Sequence, residues 1–181
     1  KYGRSKIITG SNVFAHIDDL DEFFKSVKIL LKTDGVLIVE VPYFLNLIKN
    51  LEYDTIYHEH LSYITLLPLI KYLNKKNLEI FDVEEKDIHG GSIRIFIGVK
   101  KKFQKSKKLK KILIKEKQSK LNDMNNLLHF SEKVKKNRMQ LVNLLIKLKS
   151  KNKKIIVLSA PAKGMTLLNY CKIDKDLIDF A

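Results

Sequence analysis

The first forty residues show apolar positions at two different spacings. An apolar run over Ile7–Asn12 ends in a polar loop, and Ile17–Leu31 then carries apolar side chains at three- and four-residue steps. Asp34-Gly35 is a turn signal, and the β-branched run Val36–Val41 follows it until Pro42 ends the pattern. The order strand, helix, turn, strand predicts a right-handed crossover between parallel strands.

The pattern continues after a less regular stretch over Asn46–Tyr63. Leu66–Leu73 has the spacing of a short helix. Leu78–Glu84 and Ser92–Val99 are typical of strands, and His89-Gly90-Gly91 lies between them. We expect these two strands to form an antiparallel hairpin at the end of a mixed sheet.

The last part of the chain changes character. Residues 104–150 contain neither Pro nor Gly, and their leucines recur at helical spacing, which predicts one or two long amphipathic helices. Lys154–Ser159 is then predicted as a strand, Ala160–Gly164 as a loop and Met165–Tyr170 as a helix. A second α/β unit therefore starts near residue 154.

These elements predict an α/β fold with three parts. Residues 1–100 form a domain around a mixed sheet, residues 101–153 a basic helical connector, and residues 154–181 the start of a second α/β domain. Because the chain begins with Lys1 rather than Met and ends inside this second unit, we expect it to be a middle-to-late segment of a longer protein.

The formal net charge of +15 belongs to one segment. Between Lys100 and Lys154 there are 20 Lys and Arg against 3 Asp and Glu. This concentration suits either a nucleic-acid-binding surface or a solvated helix face. Only Phe103 and Phe130 supply aromatic rings there, whereas single-strand binders interleave aromatic platforms with their cations. We therefore favour the solvated face and expect no nucleic-acid partner.

Cysteine content and hydropathy give expectations about the cellular compartment of the protein. Cys171 is the one cysteine, so a disulfide framework is excluded and a reducing, cytoplasmic compartment is indicated. No apolar run approaches the roughly 20 residues of a membrane-spanning helix, so no membrane partner is expected. The oligomeric state is not determined by these patterns.

Polar and titratable side chains are concentrated in Tyr57-His58-Glu59-His60-Leu61-Ser62-Tyr63. Removing a proton from a carbon beside a ketone requires a base close to that proton and donors near the oxygen that gains charge. Histidine, carboxylate and phenol groups can fill those roles. Alternatively, these side chains satisfy backbone groups of a loop. A metal pair at His58 and His60 is less consistent, since a two-residue step matches no zinc signature.

At these residues the chain resembles the sugar C-methyltransferase family, which includes the TDP-sugar 3-C-methyltransferases. The resemblance extends in order along nearly the whole chain. It rests on Asn12-Val13-Phe14-Ala15-His16-Ile17, Glu40-Val41-Pro42-Tyr43, Asp54–Tyr63, His89-Gly90-Gly91-Ser92-Ile93-Arg94 and Ala160-Pro161-Ala162-Lys163-Gly164. It implies that residues 1–100 are the carboxyl-terminal half of a class I, Rossmann-like methyltransferase domain.

The resemblance also implies a reaction and its residues. The cofactor is S-adenosyl-L-methionine, and the substrate is a nucleotide-diphosphate sugar with a keto group at C4. A proton is lost from C3 and the resulting enolate takes the methyl group. His60 matches the general base, whereas Tyr57, Glu59 and His16 match neighbours that orient the sugar or contact its oxygens. From the residues alone, His16 is better explained as a polar residue at a helix start.

Five further positions are predicted to bind ligands. Asn12 and Val13 match the position that flanks the methionine part of the cofactor. Tyr43 is a candidate for the same crevice or for packing over the sheet edge, and His89 for substrate contact or hairpin geometry. Lys163 precedes a predicted helix, where backbone amides and a cation suit the diphosphate or have a structural role.

Two features of the family are missing from this sequence. The family has a cysteine-rich, zinc-binding amino-terminal region and a glycine-rich loop with an acidic ribose-binding residue. We therefore expect zinc only in an amino-terminal region outside this chain, no metal in the chain itself, and no activity from this segment alone. A methyltransferase for an oxygen or nitrogen acceptor and a non-catalytic scaffold remain alternatives.

Overall fold

A computed structural model describes residues 3–88 and 90–180 of the chain. These residues form two compact units. The first contains the chain up to Asn50 together with Glu59–Leu121, and the second contains Leu51–His58 together with the chain from Asn122 onward. The sequence places domain boundaries at residues 100 and 153, and this division into domains stays a prediction.

The first unit is built on a four-stranded sheet. Its strands are β1 (Ser5–Ser11), β2 (Leu31–Pro42), β3 (Leu78–Lys86) and β4 (Ser92–Val99), in the order β1-β2-β4-β3. β1 and β2 are parallel, and β4 is antiparallel to both of its neighbours. The predicted parallel pair and the predicted antiparallel hairpin are both confirmed, and so is the α/β class.

Four helices accompany this sheet. They are α1 (Leu20–Leu30), α2 (Phe44–Asn50), α3 (Leu66–Lys75) and α4 (Lys107–Gln118), with a short 3₁₀ helix at Phe14–His16. α1 begins where the Asp19 carboxylate accepts a hydrogen bond from the Glu22 amide at 2.9 Å. α2 includes residues 46–50 of the stretch predicted as irregular, so that part of the prediction is wrong.

The turn signal at Asp34-Gly35 lies inside β2. Ser5 pairs with Leu31 and Ile7 with Val36, so the register shifts there and β2 contains the additional residues. A Cβ added to Gly35 would lie 2.8 Å from the Leu31 side chain. The signal therefore marks a bulge in a long strand rather than a separate loop after α1.

The core of the first unit lies between the sheet and its helices. Phe24 of α1, Leu73 of α3, and Val41 and Ile95 of the sheet are completely buried. Leu109, which is 1% exposed, belongs to the same cluster. Since Leu109 lies in α4, the amino-terminal part of the lysine-rich segment is a packed element of this unit.

Acidic residues of β3 neutralise part of the lysine-rich segment. Side-chain ammonium groups contact β3 carboxylates in the pairs Lys105–Glu79 at 3.4 Å, Lys108–Glu84 at 3.7 Å and Lys115–Glu85 at 2.5 Å. Each pair is partly exposed and therefore weak by itself. Together they supply an acidic partner for these lysines within their own unit.

The second unit consists mainly of helices. α5 (Met124–Ser150) and α6 (Ala162–Cys171) are accompanied by a 3₁₀ helix at Tyr53–Thr55. The strand predicted over 154–159 is wrong: a single bridge joins Ile156 to Phe180, and Leu158 is 88% exposed. An apolar run becomes a strand only where a partner continues the ladder, and the described part of this unit shows one bridge there.

None of the described helices has the length and the apolar composition that crossing a membrane would require.

Candidate active site

The carboxyl end of β1 turns sharply into the 3₁₀ helix. Asn12 has φ of 55°, in the left-handed region that asparagine tolerates better than most residues, and its amide donates to the Glu40 carbonyl at 2.8 Å. Phe14 and Ala15 are buried and fix the 3₁₀ helix against the core. Val13 is 54% exposed beside them. The loop therefore presents an apolar side chain at the strand end.

A second loop is attached to the same 3₁₀ helix. The amides of Leu61 and Ser62 both donate to the carbonyl of Ala15, at 2.9 and 3.2 Å. These bonds bring the preceding residue, His60, beside His16: the two imidazole centroids are 5.0 Å apart, with their planes at 63°. Two residues that are distant in sequence thus form a histidine pair at the carboxyl edge of β1.

The histidine pair has the groups that proton transfer requires. The His16 side chain is exposed, His60 is half-buried, and Glu59 is exposed next to His60. An imidazole nitrogen without its proton is an acceptor, and one with its proton is a donor. One ring can therefore take a proton while the other donates to a nearby oxygen. Open α/β sheets bind ligands at this end of their strands.

Tyr57 and Lys163 belong to the second unit. The Tyr57 ring is half-buried, with its centroid 6.2 Å from that of His58. Lys163 is half-buried in the first turn of α6, which follows Pro161. The roles predicted for both residues stay predictions.

The hairpin between β3 and β4 has a geometric requirement for glycine. Gly91 has φ of 117°, and a Cβ there would overlap the side-chain amide nitrogen of Asn46. The glycine is thus required by the backbone and by close packing. His89, predicted to contact substrate, lies outside the described residues.

Tyr43 packs in the core of the first unit. Its side chain is fully buried, and its hydroxyl donates to the Glu116 carboxylate at 2.8 Å. Burial and this carboxylate raise the pKa of Tyr43 far above its usual range. The arrangement corresponds to the packing alternative, and the ring offers no surface to a ligand, so a substrate contact from Tyr43 has no support here.

Glu40 and Arg94 have no role predicted from the sequence, but they form an ion pair. Glu40 is 6% exposed and accepts from the Arg94 guanidinium at 2.8 and 2.9 Å. This pair borders a cavity of about 230 Å³ on the sheet face, together with Thr9 and Ser11. Because the Glu40 carbonyl also accepts from Asn12, the ion pair stabilises the strand segment that holds the first loop. The sequence does carry one signal for this pair, because Glu40 is a carboxylate inside an otherwise apolar strand.

Among the described residues, no group of three or more His, Cys, Asp or Glu side chains is arranged to hold a metal ion.

Two family models match successive parts of the chain. Residues 2–83 match a methyltransferase domain, and residues 87–181, more than half of the chain, match the C-methyltransferase C-terminal domain. The chain belongs to this C-methyltransferase family. The C-methyltransferase NovU of Streptomyces niveus is 32% identical over 181 residues, which are 99% of this chain and 43% of NovU. The chain thus spans less than half the length of this curated relative.

Membership of the C-methyltransferase family confirms the resemblance seen in the sequence motifs. The family matches also agree with the mixed α/β fold of the first unit. The methyltransferase match contains the parallel strands β1 and β2 and ends within β3, whereas the antiparallel strand β4 lies in the residues matched by the C-terminal domain model. α4 lies in the residues matched by the C-terminal domain model but packs on the sheet of the first unit. The residues of the two matches therefore share one core.

Proposed function

We propose that the protein is an S-adenosyl-L-methionine-dependent C-methyltransferase whose acceptor is a nucleotide-linked 4-keto sugar, with His60 as the general base. The observation that supports this most directly is the histidine pair, His16 and His60, at the carboxyl edge of β1. Membership of the C-methyltransferase family supports the same reaction class. A carbon acceptor needs a base in the site, whereas an amine needs no carbon deprotonation.

We assign a separate role in the reaction to each of these side chains. His60, which is held by the bonds of Leu61 and Ser62 to Ala15, takes the proton from C3 of the sugar. His16 donates to the sugar oxygen on which negative charge develops, and Glu59 accepts from a neighbouring sugar hydroxyl. Tyr57 is assigned the same orienting role. The C3–H bond breaks and its electron pair forms the enolate. When C3 then bonds to the methyl group, the methyl–sulfur bond of the donor would break and its electron pair would stay on that sulfur, which would leave as a neutral thioether.

The loop at Asn12 and Val13 suits the methionine part of the cofactor. When bound, S-adenosyl-L-methionine supplies an electrophilic methyl group. Val13 offers exposed apolar surface to the methylene and thioether portion, and Asn12, also exposed, offers an amide to its polar end. Both residues lie at the strand end next to His16, where a methyl donor has to be for transfer to a carbon beside the base.

Lys163 is proposed to contact the diphosphate of the nucleotide. It lies in the first turn of the ten-residue helix α6. Amide groups at a helix start and a lysine side chain both favour a phosphate group. Replacing Lys163 by Met is expected to raise the KM for the nucleotide sugar more than it changes kcat.

Exchange of the C3 proton tests the base directly. The full-length protein is incubated in deuterated water with a panel of nucleotide-linked 4-keto sugars, and deuterium at C3 and methylation are followed by mass spectrometry and NMR. His60→Ala is expected to abolish both exchange and methylation. His129→Ala is the matched control, because His129 is an exposed histidine of α5.

Two results would contradict the proposal. Normal exchange in His60→Ala would remove His60 from the base role. A methyl group found on oxygen or nitrogen, or no product with any sugar of the panel, would exclude the proposed acceptor.

A further inference from the structure

Glu116 is a buried carboxylate in a segment otherwise rich in exposed lysines. The residue is 2% exposed and comes from α4. Its Oε1 accepts from the Tyr43 hydroxyl at 2.8 Å and from the Leu66 amide at 2.7 Å, and its Oε2 accepts from the Leu67 amide at 2.6 Å. A buried carboxylate with three donors is satisfied, and removing it leaves those donors without their acceptor.

The two amides that Glu116 binds are the first two of α3. A helix start leaves its first amides without intrahelical partners, and a side chain just before the helix often accepts from them. In α3 this position is Thr65, and its side chain makes no such bond. Glu116 supplies the acceptor from another helix, and its negative charge also suits the helix dipole.

The bonds of Glu116 fix one end of the segment that carries His60. Leu61 and Ser62 bind the Ala15 carbonyl at the beginning of this segment. Ile64 pairs with Tyr43, and its carbonyl accepts from the Phe44 amide at 3.1 Å. Leu66 follows two residues later and binds Glu116. The segment is therefore attached at three successive points, and Glu116 holds the last of them.

Glu116 also fixes the strand extension on which this segment lies. Tyr43 directly follows β2, and its amide donates to the Gly91 carbonyl at 3.0 Å. Its hydroxyl and the Leu66 amide share one oxygen of Glu116. One carboxylate thus joins the end of β2 to the start of α3, the two places between which Ile64 is clamped.

We propose that Glu116 is a positioning residue for the histidine pair: by joining Tyr43 to the start of α3 it holds the His60 segment in register with the His16 loop. This inference rests on the proposed role of His60 as base. It assigns a part in the first unit's site to α4, a helix within the match to the C-methyltransferase C-terminal domain. A displacement of about 1 Å at a reacting group can lower a rate by about 100-fold.

Glu79 provides a matched control for substitution of Glu116. It is 8% exposed, accepts from the Lys101 amide at 2.6 Å, and has an ion pair with Lys105. Glu79 pairs with Gly98, whereas Ser92, at the other end of β4, pairs with Pro42. It therefore lies toward the sheet edge opposite to the histidine pair. Glu79→Gln makes the same chemical change at a buried carboxylate remote from His60.

The test uses the full-length protein and two measurements. In Glu116→Gln the amide hydrogen exchange of residues 61–67 is expected to rise at least about tenfold. The kcat for C3 exchange and methylation is expected to fall about 10- to 100-fold, with the KM for the methyl donor changed less than about threefold. Glu79→Gln is expected to leave both the exchange of residues 61–67 and kcat within about threefold of wild type.

Each contrary result has a defined meaning. Unchanged amide exchange over residues 61–67, wild-type kcat in Glu116→Gln, or an equal loss of kcat in Glu79→Gln overturns the positioning role. If Glu116→Gln does not fold, Glu116→Asp keeps the charge but withdraws it by one methylene, and an intermediate loss of kcat is expected. A wild-type protein without exchange or methylation refutes the proposed function instead, and amide exchange still decides whether Glu116 holds the segment.

Discussion

At the scale of single residues, Asn12 combines an unusual backbone conformation with high exposure. Its φ is 55° and its amide binds the Glu40 carbonyl. Alanine in the left-handed backbone region is disfavoured by about 1–2 kcal/mol, whereas glycine is not. We expect Asn12→Gly to have a free energy of unfolding about 1 kcal/mol higher than Asn12→Ala. Urea unfolding followed by circular dichroism measures the difference, and equal stability of the two variants would contradict it.

The histidine pair shows how far single residues could be predicted. His60 was visible because several titratable side chains adjoin it, which is uncommon in a connecting loop. Its proximity to His16 depends on the bonds of Leu61 and Ser62 to Ala15, and these are backbone contacts that no side-chain pattern records. Glu116 was hidden for the opposite reason: among many lysines, one carboxylate at helical spacing resembles a surface ion-pair partner.

At the scale of elements, α4 is an amphipathic helix whose buried face belongs to the core. Leu109 is 1% exposed, whereas Ile114 of the same helix is 58% exposed. Leu109→Ala is expected to destabilise the first unit by about 2–5 kcal/mol because it removes buried methyl groups and leaves a cavity. Ile114→Ala, the control, is expected to change stability by less than about 0.5 kcal/mol.

Thermal unfolding of the two variants tests whether α4 is a packed element. Similar small changes in both would mean that α4 is a solvated connector, as the sequence first suggested.

The elements that periodicity predicted well have a regular apolar pattern and pack in the core of the first unit. They are the helices α1 and α3 and the hairpin strands β3 and β4. α2 was missed because it is short and directly follows Pro42 and Tyr43, where the sequence shows a strand ending. The run over 154–159 has strand-forming residues, but its pairing depends on a partner segment, and Phe180 supplies one bridge. Local preference does not determine long-range pairing.

At the scale of the whole molecule, charge is distributed by element. The lysine-rich segment meets acidic partners of β3 in the first unit, and Lys149 binds Asp179 at 2.8 Å in the second. Net charge alone favoured a polyanion as partner, because it does not record which lysines already contact carboxylates. In the three-dimensional arrangement some of these lysines already contact carboxylates, so fewer of them are available to a polyanion.

Alkaline pH is expected to weaken the second unit through Tyr53. This side chain is 8% exposed, and its hydroxyl donates to Asn137 at 2.8 Å. Burial, followed by the nearby Cys171, raises the pKa of Tyr53 to about 12. A tyrosine of the unfolded chain ionises at about pH 10. The folded state therefore keeps the proton longer, so this contribution to stability is complete below about pH 10 and is lost as pH rises toward 12.

Tyr53→Phe isolates this contribution from the other groups that titrate at high pH. At neutral pH the variant is expected to be less stable by about 1 kcal/mol, because Asn137 loses its donor. As pH rises from about 10 to about 12, wild type loses stability that the variant does not have, so the difference between them should shrink. Tyr170→Phe is the control, since Tyr170 packs on Tyr53 with ring centroids 5.4 Å apart and is 39% exposed. Urea unfolding across this pH range measures the difference, and a gap that stays constant would show that Tyr53 does not couple the unit to pH.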